Sequence, residues 1–123
     1  MRRPGTDENN VRMADVVCDF CHREWTEAMP MIEGHQGSCI CGNCLKLAYR
    51  ELVLQGTDPS PEGDWKCPMC LEADADRAAM DRADEPGWPS PLHPEVVVCR
   101  RCIAMAAGVL HKDPDYDWTM PTE

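Results

Sequence analysis

The chain has little from which to build a hydrophobic interior: of its 123 residues one is Phe, two are Tyr and four are Trp. At this length packing alone is marginal once more than one core is required, so a metal or covalent links are expected to help. Long apolar runs are missing as well. The longest, Cys102 to Leu110, is too short for a bilayer, and no membrane partner is expected. Residues Met1 to Asp15 include Arg2 and Arg3 but no apolar stretch of the length that a secretory signal needs, so the expected compartment is the reducing cytoplasm. Basic residues are scarce too, with 12 Lys and Arg against 22 Asp and Glu and a formal charge of −10. Such a field gives no general attraction to phosphate backbones, which argues against nucleic acid and for a protein or peptide partner.

What the chain does have is nine cysteines, eight of them in Cys-x2-Cys pairs. Cys41-Gly42-Asn43-Cys44 runs into an amphipathic helix, with Leu45, Ala48, Tyr49 and Leu52 at i, i+3, i+4 and i+7. Fifty-eight positions on, Cys99-Arg100-Arg101-Cys102 repeats it, with Ile103, Ala106 and Leu110 matching Leu45, Ala48 and Leu52. A further pair lies upstream of each copy, Cys18/Cys21 and Cys67/Cys70. The order suggests two tandem four-cysteine units.

Two residues between cysteines let one tight turn present both sulfurs to one ion, and a helix N-terminus favours thiolates. The expected ligands are Cys18, Cys21, Cys41 and Cys44 for one Zn2+ and Cys67, Cys70, Cys99 and Cys102 for a second. Structural zinc supplies about 10–16 kcal/mol of apparent binding energy, which for a unit with little core is folding energy. Rubredoxin-like iron uses the same sulfurs, but neither Cys44 nor Cys102 is followed by the Gly usual in that fold. A cross-brace, in which the first and third pairs share an ion, is the alternative connectivity; the repeat favours sequential pairing. Cys18-Asp19-Phe20-Cys21-His22 also fits the c-type haem attachment pattern, which would require export. Cys39 is expected to be a small buried group rather than a ligand, and His35 and His93, each six positions before a ligand cysteine, are expected to be turn residues. At least two of Trp25, Trp65, Trp88 and Trp118 are assigned to packing.

The expected organisation follows the composition: residues 1–15 disordered, a first zinc unit over 16–56, a linker over 57–64, a second unit over 65–112, and an acidic, aromatic tail over 113–123. In the first unit Met29–Glu33 and Ser38–Ile40 read as a hairpin around Gly34–Gly37, and Gly56 as the helix cap. The second unit carries a nine-residue insertion placed near 72–90, with a short exposed helix over Glu72–Asp84 and a strand over Glu95–Val98. The fold class is small α+β, metal-stabilised.

Cys18-Asp19-Phe20-Cys21, Met31-Ile32-Glu33-Gly34 and Ile40-Cys41-Gly42-Asn43-Cys44-Leu45 resemble the N-terminal zinc-binding domain of the ClpX unfoldase over about residues 16–54. Residues 65–111 look like a more divergent second copy. The resemblance implies a treble clef in each unit, a four-cysteine zinc site, dimerisation, and recognition of adaptors or unfolded segments. No G-x-x-x-x-G-K-[ST] motif occurs, so the family's ATPase is not in this chain. The expected function is a zinc-stabilised protein-interaction module without enzymatic activity, its two clefs packed as an intramolecular pseudo-dimer or joining into a homodimer. The alternative is a nucleic-acid-binding zinc-finger protein, a transcription regulator, for which Arg100 and Arg101 are the best support.

Overall fold

The computed structural model describes residues 1–122. The two halves are built by the same local steps. In the first, the Cys18 amide donates to the Arg23 carbonyl (2.9 Å) and the His22 amide to the Cys18 carbonyl (2.8 Å); in the second, Cys67 donates to Glu72 (3.0 Å) and Leu71 to Cys67 (2.7 Å). The turn closes only if the residue after the second cysteine is left-handed, and His22 and Leu71 have φ of 60° and 65°.

A short antiparallel hairpin follows each knuckle. Strand β1 (Met31–Glu33) pairs with β2 (Cys39–Cys41), Ile32 opposite Ile40. In the second half β3 (Gly87–Pro89) pairs with β4 (Val97–Cys99), Trp88 opposite Val98. The hairpin delivers the third cysteine directly to a helix. Helix α1 (Gly42–Tyr49) continues as a π-helical turn over Arg50–Leu54, and the Gln55 amide reaches back five residues to Arg50 at 2.8 Å. Its counterpart α3 runs from Arg100 to Lys112.

This register places Trp88 where the first half has Ile32, Met69 where it has Phe20, and Ser90 where it has Gly34. It also corrects the placement of the insertion. Pro30 and Pro86 are equivalent, since each accepts from the first helical amide, Gly42 at 2.8 Å and Arg100 at 3.1 Å. The extra residues therefore fall between Glu72 and Pro86 and in the hairpin turn between Ser90 and Val96. Strand β3, inside the stretch assigned to the insertion near 72–90, belongs to the repeat. The insertion proper holds α2 (Asp74–Ala79). Its Arg77, 1 % exposed, donates to the carbonyls of Glu72 (2.8 Å) and Trp65 (2.9 Å) and lies 3.5 Å over the Trp65 ring.

The few large side chains are not divided between two cores, as the composition suggested, but pooled in one. Helix α1 packs on α3, and the matched positions Leu45, Ala48 and Leu52 with Ile103, Ala106 and Leu110 are all buried in a single cluster. Pooling spares each small unit a separate interior. Two reciprocal contacts hold the seam. The His35 amide donates to the Met69 carbonyl at 3.0 Å, and the Ser90 hydroxyl donates to the Phe20 carbonyl, so each hairpin turn grips the equivalent residue of the opposite knuckle. The approach is closest at Gly34, where a Cβ would stand 2.6 Å from the Met69 Cα.

Three segments read as irregular have defined courses. Residues 1–15, expected to be disordered, lie along the first knuckle through an Arg2–Val16 bridge and an Arg3 amide to Asp15 carbonyl bond of 2.7 Å. Within 57–64, the Ser60 hydroxyl accepts from the Gly87 amide at 2.8 Å and Asp64 from the Asp74 amide at 3.0 Å. In the tail Trp118 is buried, its indole N–H donating to the Gly42 carbonyl at 2.9 Å. A Cβ on Gly42 would come within 2.8 Å of that ring, so the absence of a side chain there lets the tail seat. Among the described residues no helix is long and apolar enough to cross a membrane.

Candidate metal centre

Each four-cysteine cluster joins a knuckle to a helix start. Cys41 is the N-cap of α1 and its sulfur accepts from the Cys44 amide at 3.4 Å; Cys99 is the N-cap of α3. The positive end of the helix dipole thus faces sulfur in both units, and in the first an orphan amide does too, the environment that favours thiolate. The first cysteine of each unit is also met by backbone donors. The Cys18 sulfur accepts from Phe20 (3.4 Å) and Cys41 (3.3 Å), and the Cys67 sulfur from Cys99 (3.5 Å).

The sulfurs of Cys18, Cys21, Cys41 and Cys44 lie within 4.8 Å of one another, as do those of Cys67, Cys70, Cys99 and Cys102. The pairing is therefore sequential, and no sulfur is shared across the halves as a cross-brace would require. Individual edges are 3.7 Å for Cys21–Cys41, 3.9 Å for Cys70–Cys99 and 3.9 Å for Cys67–Cys102. A tetrahedron with Zn–S of about 2.3 Å has S–S edges of about 3.8 Å, so the residues fit the ion. The same distances are far beyond a disulfide.

Electrostatics point the same way. The Cys18 thiol is pulled down to about 2 by hydrogen bonds from Cys41 and Cys44, while that of Cys41 is pushed up to about 12 and that of Cys44 is raised further, both chiefly by their bonds to Cys18. In the second cluster Cys67 is likewise pulled down to about 2, chiefly by Cys102, whose own thiol is raised. One thiolate is readily held in each cluster, but each further one meets like charge. A dication removes that conflict, and four thiolates with one zinc form a closed, structural shell. The chain has sites for two zinc ions.

Cys39 stands outside the cluster. It is fully buried, its S–H donates to the Val17 carbonyl at 3.1 Å, and burial pushes its thiol up. His35 and His93 sit in the hairpin turns, each carbonyl accepting a turn-closing amide, from Ser38 at 3.1 Å and Val96 at 2.9 Å. The His93 ring also stacks on His22 from the other half, centroids 3.9 Å apart. Nothing in the sequence signals that stack, since it depends on the packing of the halves. Glu72 was missed too, although its position two residues after Cys70 was a usable signal. Its carboxylate accepts from the Cys70 sulfur at 3.3 Å and from Arg82 at 3.0 Å, with Arg101 at 3.7 Å.

The seam between the halves leaves two hollows at equivalent places. One, about 500 Å³, is lined by Ile32, Met69, Met105 and Val109 and reaches the zinc-site cysteines Cys70 and Cys102, with the exposed Glu33 and Arg101 also lining it. The other, about 250 Å³, is lined by Leu47, Glu51, Trp88 and Pro91.

No curated protein and no solved structure matches the chain. One family model does, over residues 16–53, which hold the first cluster and most of the helix behind it. The first half is thus similar to the ClpX C4-type zinc finger, and the cluster of Cys67, Cys70, Cys99 and Cys102 makes a second zinc site in tandem with it.

Proposed function

We propose that the chain is a zinc-stabilised interaction module that binds a segment of a protein partner at the seam between its two halves. The observation that carries this reading is the apolar hollow of about 500 Å³ formed jointly by β1 of one half and α3 of the other. Such a surface exists only when both halves are folded and packed, and it exposes Met105 and Val109, 57 % and 60 % accessible, beside it. In this reading zinc is structural. A shell of four thiolates leaves no open position for a water or substrate, so no catalysis is assigned to either site.

The pairing of α1 on α3 takes, within one chain, the role that dimerisation has in the family the first half resembles. The nucleic-acid alternative loses its best support, because Arg100 Nε donates to the Leu52 carbonyl at 3.1 Å and Arg101 lies 3.7 Å from Glu72. Each guanidinium already has a partner within the chain, and the net charge of −10 opposes phosphate.

Panning a random peptide library on the zinc-loaded chain tests the proposal. Recovery of peptides that bind saturably, and that lose binding when a chelator removes zinc, is the expected result. Recovery of none, together with salt-sensitive retention of DNA or RNA, would overturn it.

A further inference from the structure

We propose that the hollow lined by Ile32, Met69, Met105 and Val109 is a pocket for an aromatic side chain, presented by a partner peptide that carries a basic residue next to that ring. The inference rests on the proposed interaction function and specifies the chemistry of the partner.

The opposite half of the molecule serves as the template. By register and repeat, Trp88 replaces Ile32, Phe20 replaces Met69, Leu47 replaces Met105 and Glu51 replaces Val109. There the indole of Trp88 fills the equivalent space. It is 2 % exposed, its centroid is 5.9 Å from that of Phe20, and its N–H donates to the Glu51 carboxylate. The residual hollow is about 250 Å³ where the open one is about 500 Å³. The knuckle and the hairpin register around the two correspond, while the helix wall is a π-helical turn at Glu51 and a regular α-helix at Val109, so the open side has the strand-and-knuckle frame of an aromatic pocket and lacks the ring. A flat ring against Met105 and Met69 also makes favourable sulfur–aromatic contacts.

The rim specifies the neighbour of the ring. Glu72 is engaged by Arg82 and Arg101, whereas Glu33 forms no ion pair among the described residues. A chain with a formal charge of −10 and a free carboxylate on the rim selects a cationic flank. The pocket is also continuous with the seam, because Met69 and Ala106 belong both to it and to the shared core. A partner ring would extend an interface that is already apolar.

A fluorescein-labelled peptide, Gly-Ser-Lys-Trp-Lys-Ser-Gly, titrated with the zinc-loaded full chain by anisotropy provides the test. Replacing its Trp by Ala should weaken binding at least about tenfold, the discrimination expected of a filled apolar pocket. Replacing its Lys residues by Glu should weaken it further at low salt. The double variant Ile32→Trp/Val109→Glu rebuilds the filled side on the open one and should abolish binding while still holding two zinc ions by native mass spectrometry. Met105→Lys, at an exposed helical position, keeps the test decisive if the double variant fails to load. Binding that survives these substitutions, or panning that recovers only peptides without aromatic residues, would overturn the pocket and leave the interaction function standing. A dimer that the double variant breaks would overturn it as well, by showing that a second copy fills the hollow. Failure of panning to recover any peptide would remove the interaction function itself.

Discussion

The knuckles and hairpin strands of the two halves share their backbone bonds, although only α1 ends in a π-helical turn, and the halves differ where they meet. Their knuckles, their proline-to-helix bonds and their hairpin registers correspond. What differs is how each secures its hairpin. The first half leaves Ile32 half-buried beside a hollow and carries no side chain at Gly34, where the opposite knuckle comes within reach of any added Cβ. The second half buries Trp88 and uses a hydroxyl, Ser90, for the reciprocal grip. Metal geometry is thus held constant while the surface around it varies, because four sulfur positions tolerate little change and an apolar seam tolerates much.

The largest expected effect asks whether the halves are separable. Substitution of Cys41 or of Cys99 by Ser should cost the ion of its own cluster and, because the core is pooled, the fold of both halves and with it the second ion, with a loss on the order of 10 kcal/mol of metal-linked stability. Native mass spectrometry with far-ultraviolet circular dichroism reads both; a chain that keeps one ion and a folded half would separate the units. Next in size, Trp88→Ala should destabilise the zinc-loaded protein by about 3–5 kcal/mol and Ile32→Ala by markedly less, since only the first removes a fully enclosed side chain. Equal losses in denaturant titrations would erase the distinction between the filled and open sides. The smallest effect lies in the knuckles. Leu71→Gly relieves a left-handed residue at φ 65° and should raise stability by up to about 1 kcal/mol, and His22→Gly should gain less because it also removes the stack on His93.

How much of this could be read from the chain depends on the range of the forces involved. The ligand sets were legible because Cys-x2-Cys is a local device, and the helix faces because Leu45, Ala48 and Leu52 keep a period. Strand β3 was not, because Gly87 and Pro89 disfavour strand taken alone and are held only by pairing with Val97 to Cys99. The course of residues 1–15 was hidden for a similar reason: their order comes from backbone bonds to a knuckle that composition does not reveal. The open pocket was beyond reach, since its walls come from β1, the second knuckle and α3.

A covalent pair also escapes a constraint that binds two identical chains. In a symmetric dimer any residue that plugs one cleft plugs its twin, so a bulky ring and an empty seat for one cannot coexist. Joining the halves through residues 57–64, and pinning that joint by Ser60 to Gly87, lets position 32 and position 88 carry different side chains. One side is then free to settle into architecture while the other stays open, and a partner seated there as proposed would bind with a stoichiometry of one rather than two.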